Sequence, residues 1–165
     1  MLAVYNGFSF TVEEEAEFWN AFSTDWELDK KALSEKYTAP DKSIIDVGAW
    51  IGPTVLIGYA NNAKHIYAIE ADPANAHILK KNCMRNFIAD RVTIITRCMY
   101  PVSNETISFG KCLLQGSGAS STKTFGGSAK VLSSTLIDSI IDNNINLDEV
   151  NILKIDIEGA ELLLV

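Results

Sequence analysis

The sequence predicts an α/β fold built on an open, mostly parallel sheet. Three observations predict it. Apolar strand-like runs alternate with helical stretches from Ser43 to Thr96. A glycine turn, Gly48–Gly52, joins the first of these strands to a helix, and the run Val150–Ile155 leads into acidic residues. Strands that alternate with helices pair in parallel through right-handed crossovers, and ligands sit beyond the carboxyl ends of such strands.

The elements follow in chain order. Residues 1–40 are expected to be an N-terminal helical segment. Thr11 with Glu14 resembles a capping box, and Phe18, Trp19, Phe22 and Trp26 recur at helical spacing as an apolar face. A second helical piece, Lys30–Tyr37, ends before Ala39–Pro40. Residues 41–165 form the α/β core of the same single domain. Ser43–Val47 reads as a buried strand, and Pro53 suits the first position of a helix through Ala60, where its missing N–H is not needed. His65–Ile69 is a strand, Pro73–Asn86 a helix, and Arg91–Thr96 a strand rich in β-branched residues. Thr106–Phe109 and Lys130–Leu132 are short strands on either side of a Gly/Ser/Thr loop, Gln115–Lys123. Leu136–Ile141 is helical, Val150–Ile155 is a strand, and Ile157–Val165 begins a further helix. The apolar run Leu162–Val165 is expected to need cover, either from more of the same domain or from another chain in an oligomer.

Composition narrows the function classes. The chain has 165 residues, enough for one domain with its own core. Its net charge is −7 with no Lys/Arg cluster, which argues against a nucleic-acid partner because such binding rests on a basic footprint. Cys83, Cys98 and Cys112 lack C-x-x-C spacing and read as free buried thiols. No signal-peptide pattern and no span-length apolar window is present, so a soluble cytoplasmic protein with no membrane partner is expected.

The chemistry concentrates in two motifs. The first is I-I-D-V-G-A-W-I-G at 44–52, followed by Glu70, 22 positions after Gly48. A strand, glycine turn and helix start let backbone approach a ligand, and an acid ending the next strand accepts ribose hydroxyls. A dinucleotide fingerprint would require glycine at Trp50 and Pro53, so a cofactor without pyrophosphate fits better. Gly48 and Gly52 would leave room for a methionyl group, and Asp46 would orient its amine or support the turn. The second motif is L-K-I-D-I-E-G-A-E at 153–161, which puts Lys154, Asp156 and Glu158 on one side of an extended strand. That strand is expected beside the first, so that Asp156 and the glycine loop flank one cleft. His65 and His77 are isolated and are not expected to bind metal. Ser117 and Ser120 lack the second glycine of a nucleophile elbow and belong to a loop.

D-V-G-A-W-I-G, Y-A-I-E-A-D-P at 67–73 and L-K-I-D-I-E-G-A-E together resemble the FkbM-type methyltransferases. The resemblance extends over most of residues 26–165. It implies a Rossmann-like class I methyltransferase fold, shortened at the C-terminal side, with S-adenosyl-L-methionine as cofactor. It also implies O-methylation of a small-molecule or sugar hydroxyl. Carried over by position, Asp46, Gly48, Ala49 and Gly52 line the cofactor loop, and Glu70 with Ala71 takes the ribose side. Asp156 and Glu158 face the reaction centre, Asp156 bordering the cofactor as well. Trp50 stands where the family has a small polar residue. A non-catalytic adenosyl-binding or interaction module is the alternative reading.

Overall fold

The computed structural model describes residues 1–13, 15–111, 120–121, 129–157 and 161. It opens with a hairpin rather than a helix: β1 (Leu2–Tyr5) pairs antiparallel with β2 (Phe8–Thr11). Asn6 and Gly7 make the turn with φ of 48° and 80°, the left-handed pair that a two-residue hairpin needs. This corrects the expectation of a purely helical N-terminal segment. Thr11 lies in β2 and caps nothing. Helix α1 (Ala16–Ser23) follows Glu15, which makes no side-chain cap, and Glu14 lies outside the described residues. The expected aromatic face is real: Trp19 and Phe22 are fully buried, with Phe18 and Trp26 packed against them. Helix α2 (Leu28–Tyr37) completes the segment.

The core alternates as the sequence predicts, through β3 (Ser43–Val47), α3 (Pro53–Ala60), β4 (Ile66–Ile69), α4 (Pro73–Arg85) and β5 (Val92–Ile95). A short β6 (Cys98–Met99), β7 (Thr106–Lys111), β8 (Ser120–Ser121) and β9 (Ala129–Ser134) come next, then α5 (Leu136–Asp142) and β10 (Val150–Ile155). The main sheet has the order β10-β3-β4-β5, with every neighbour parallel. The last strand thus returns beside the first, as expected. Apart from the β1–β2 hairpin, the other strands form a separate small sheet, β6-β9-β7-β8, in which β9 runs parallel to β6 and antiparallel to β7.

β3 is buried along its whole length, and its alternating side chains serve two cores. Ile44 packs with Trp19, Phe22, Leu56 and Leu79, a cluster that also holds Ala3 and Phe10 of the hairpin. Ile45 and Val47 pack on the other face with Ile69, Ile95 and Met99. β10 closes one side of the sheet, and its outward Leu153 and Ile155 are exposed. The loop expected at 115–123 and the helix expected from Ile157 fall largely outside the described residues.

Candidate active site

Strand register assembles the site. Ile155, Val47, Ile69 and Ile95 lie in one row across β10, β3, β4 and β5. The residues immediately after that row are Asp156, Gly48, Glu70 and Thr96. The glycine loop and the acidic end of β10 therefore share one rim.

Their contact is intimate. The Asp156 N–H donates to Val47 O at 2.9 Å. Gly48 has φ of +82°, and a Cβ there would stand 1.8 Å from the Asp156 carbonyl oxygen. Gly52 has φ of +102°, and its Cβ would stand 2.6 Å from Leu79 Cδ1. Both glycines are thus demanded by packing inside the protein as well as by backbone sign. On the side where a Cβ would project, Asp156 and Leu79 close against these two glycines.

The loop keeps few N–H groups for an anion. Gly48 and Ala49 both donate to Ile69 O, Gly52 donates to Ala49 O, and Trp50 donates to Glu70 Oε2 at 2.7 Å. Pro53 has no N–H to give. A pyrophosphate needs a helix start with open donors, so this turn suits a cofactor without phosphate. Trp50 takes φ of 50° and turns its ring onto Phe18, with centroids 4.5 Å apart, as part of the aromatic cluster on α1.

Glu70 is buried at the end of β4, and its carboxylate ties two turns together. Oε2 accepts from Trp50 N, and Oε1 accepts from Asp72 N at 2.8 Å. Burial pushes its carboxyl above the usual range, while these backbone donors oppose the shift. Asn75 adds a side-chain hydrogen bond, and since a carboxylate offers about four lone-pair sites, some acceptor capacity remains. Ala71 packs beside Cys98 and Val131, and Asp72 caps α4 by accepting from Ala74 N.

Asp46 is fully buried on β3, directly opposite Lys154 of β10. Lys154 Nζ lies 2.9 Å from Asp46 Oδ1, donates to Gly48 O at 2.8 Å and stands 3.9 Å from Asp156 Oδ2. The ammonium is within ion-pair distance of Asp46 but out of hydrogen-bond alignment with it. Neither Asp46 oxygen accepts an aligned hydrogen bond. Burial holds this carboxyl above its usual range against the pull of Lys154. The alternation of Lys154 with Asp156 puts both on one side of the strand, a pattern that suits pairing of Lys154 with a neighbouring acid; that acid is Asp46 on the adjacent strand.

Asp156 is half-exposed at the rim and ion-paired with Lys30 of α2, whose Nζ is 3.0 Å from Oδ2 and 2.7 Å from Glu27 Oε1. Lys30 and Glu27 thereby bring the N-terminal segment to the site. Glu158, Ser117 and Cys112 lie outside the described residues, as does the side chain of Ser120. His65 bonds Thr93 Oγ1 at 2.8 Å within the sheet. Among the described residues no cluster could hold a metal ion, and no helix is long and apolar enough to cross a membrane. Cys83 and Cys98 are free and buried, with burial pushing their thiols up to about 12 and about 11.

Comparison with known proteins adds to this geometry. Residues 46–164 match the methyltransferase FkbM domain. The ribosomal protein L11 methyltransferase of Carboxydothermus hydrogenoformans is 29% identical over 72 residues, which is 44% of this chain and 24% of that protein. The complex of aTrm5 with tRNALeu is similar to 58% of this chain and 27% of its own, at 22% identity and a TM-score of 0.41. TYW2 of M. jannaschii in complex with AdoMet is similar over 58% of this chain and 42% of its own, at 20% identity and a TM-score of 0.41. The matched region spans about a quarter of the first two relatives. These findings correct one expectation. Similar proteins include a methyltransferase named for a ribosomal protein and one solved with a tRNA, so a small-molecule or sugar acceptor with no nucleic-acid partner is not retained.

Proposed function

The chain belongs to the methyltransferase FkbM domain family, whose cofactor is S-adenosylmethionine, and from that premise we propose that the shared rim of β10, β3 and β4 binds the cofactor and transfers its methyl group to an acceptor oxygen beside Asp156. The observation that carries this reading is the common register row, which puts Gly48, Glu70 and Asp156 one step beyond the same line of the sheet.

The residues present fit the cofactor. The loop offers little to a phosphate, Glu70 keeps free acceptor sites, and the rim carries an anionic tip. When bound, adenosylmethionine supplies an electrophilic methyl group on a positively charged sulfur. Glu70 accepts from the ribose hydroxyls while its backbone bonds hold the loop in place. Gly48, Ala49 and Gly52 frame the turn, and Ala71 leaves space beside Glu70. Asp156 takes the proton of the acceptor hydroxyl once that hydroxyl displaces Lys30 from its carboxylate. Much of the rate comes from holding the reacting pair in line and away from water. Glu158, two positions on in the same K-I-D-I-E-G-A-E motif, is a second candidate for the base. A second reading, an adenosyl-binding module without transfer, draws on the Lys30–Asp156 ion pair, which occupies the proposed base.

A single domain over residues 1–165 accompanies this reading, supported by the core shared between the hairpin, α1 and the sheet. A cytoplasmic location is supported by the two buried free thiols.

A thermal-shift panel with adenosylmethionine, adenosylhomocysteine and NAD tests the cofactor, since a ligand that binds only the folded state raises its melting temperature. Stabilisation by the two adenosyl compounds and not by NAD is the expected result; stabilisation by NAD alone would overturn the reading. Transfer of a tritiated methyl group to the RNA, protein or small-molecule fraction of a cell extract then separates enzyme from binding module. Asp156→Ala abolishes that transfer if Asp156 is the base.

A further inference from the structure

Asp46 is the acid that the glycine motif singles out, and its side chain is 0% exposed, set behind the rim. Lys154 is its neighbour across the β3–β10 register, and that side chain is 18% exposed. An ammonium has three donors. One reaches Gly48 O at 2.8 Å, in the loop, and the charge as a whole lies 2.9 Å from Asp46 and 3.9 Å from Asp156. One group thus touches the strand, the turn and the tip that together make the rim. Beyond it, Lys30 of α2 continues the alternation of charge from Asp156 to Glu27 at the surface.

We propose that Lys154 is a positioning residue of the cofactor site, and that Asp46 acts on the cofactor only through it, by anchoring the ammonium that holds Gly48 and the end of β10 in place. This rests on the adenosylmethionine reading above. A buried anion here does what a supporting shell does elsewhere: it fixes the side chain that fixes the site. Removing Lys154 leaves Asp46 without its counter-charge, and removing the Asp46 charge leaves Lys154 without its anchor. The loop loses its tether in both cases.

Calorimetric titration with adenosylhomocysteine between pH 5 and pH 8 provides the test, on the full chain and without any turnover. The proteins are wild type, Lys154→Met, Asp46→Asn and the double variant. In wild type, affinity falls as pH is lowered and Asp46 takes a proton. Asp156, Lys30 and Glu27 also face this cluster, and Glu70 titrates nearby, so the informative quantity is the difference between each variant and wild type. Each single variant is expected to weaken binding about tenfold and to lose the part of the pH slope that belongs to Asp46. The double variant is expected to bind no more weakly than either single one, because the two residues act as one device. A double variant weaker by the sum of the two effects would show that Asp46 acts independently of Lys154 and would overturn the proposal. Unchanged affinity in Lys154→Met would also overturn it. If Lys154→Met does not fold, Asp46→Asn carries the test: retained wild-type affinity there overturns the proposal as well. Failure of wild type to bind adenosylhomocysteine would instead remove the cofactor reading on which it stands.

Discussion

Glu70 and Asp46 are buried carboxylates on neighbouring strands of one sheet, yet they are held in opposite ways. Glu70 sits just past the end of β4, where two turns aim backbone N–H groups at it, one at each oxygen. Asp46 sits within β3, where the backbone is already spent on the ladder, and among the described residues the Lys154 ammonium is the cation within ion-pair distance, with Lys30 acting from farther off. Backbone donors are fixed by the fold, whereas a lysine ammonium stands at the end of a flexible stem. One acid is therefore welded into the scaffold, and the other depends on a single removable partner. Changing Glu70 should alter the shape of the loop, and changing Asp46 should alter its charge balance.

The strongest way to break this arrangement is at the point where both halves meet. Gly48→Ala drives a methyl group into the Asp156 carbonyl and forces a left-handed φ on alanine. A loss of roughly 4 kcal/mol or a failure to fold is expected, read by urea denaturation. Lys154→Met strands the buried Asp46 charge and should cost about 3 kcal/mol in the same measurement. Glu70→Ala deprives two backbone N–H groups of their acceptor and should cost about 2 kcal/mol. It should also weaken adenosylhomocysteine binding several-fold by calorimetry, and unchanged affinity would detach Glu70 from the ribose.

Asp46→Asn sharpens the contrast through pH. Burial holds both carboxyls above their usual range, so at these two groups the folded chain binds protons more tightly than the unfolded one, opposite in sign to the surface carboxyls of Glu13, Asp138 and Glu149. Their contribution to stability should accordingly fall as pH rises from the ordinary carboxylate range through the folded-state values, and level off above them. Asp46→Asn should flatten that fall and change stability at neutral pH by only about 1 kcal/mol, because relief of desolvation offsets the lost ion pair. A urea-midpoint series across pH 4–8 reads both effects. A slope as steep as that of wild type would show that Asp46 does not titrate with folding. The smallest effect belongs to Lys30→Ala, whose half-exposed pair with Asp156 should contribute less than about 0.5 kcal/mol. If Lys30 guards the base, methyl transfer by this variant should rise while stability holds.

The contrast also marks how far the sequence could be read. The run from Ser43 to Glu70 was legible because each local rule agreed: a short, mostly apolar strand, glycines where φ turns positive, and Pro53 at the helix start. The parallel return of Val150–Ile155 beside β3 followed from the same logic. The opening hairpin was legible in principle, since Asn6-Gly7 between alternating apolar residues is the turn chemistry of a tight hairpin. The Thr11/Glu14 pattern competed with it, and strand pairing won because the hairpin buries Ala3, Tyr5 and Phe10. The division of the later strands into a second sheet was not legible, because β6 and β8 have two residues each and carry no period. The pairing of Lys30 with Asp156 spans 126 positions and depends on tertiary placement alone.

The aromatic cluster gives the chain a built-in optical gauge. The chain has three tryptophans, and the ring of Phe18 lies within 5.2 Å of each: 4.9 Å from Trp19, 5.2 Å from Trp26 and 4.5 Å from Trp50. Every indole in the molecule thus reports on one patch, and Trp50 joins that patch from within the glycine turn itself. Tryptophan emission, excited selectively beyond the tyrosine band, should follow any shift of the turn with no label attached.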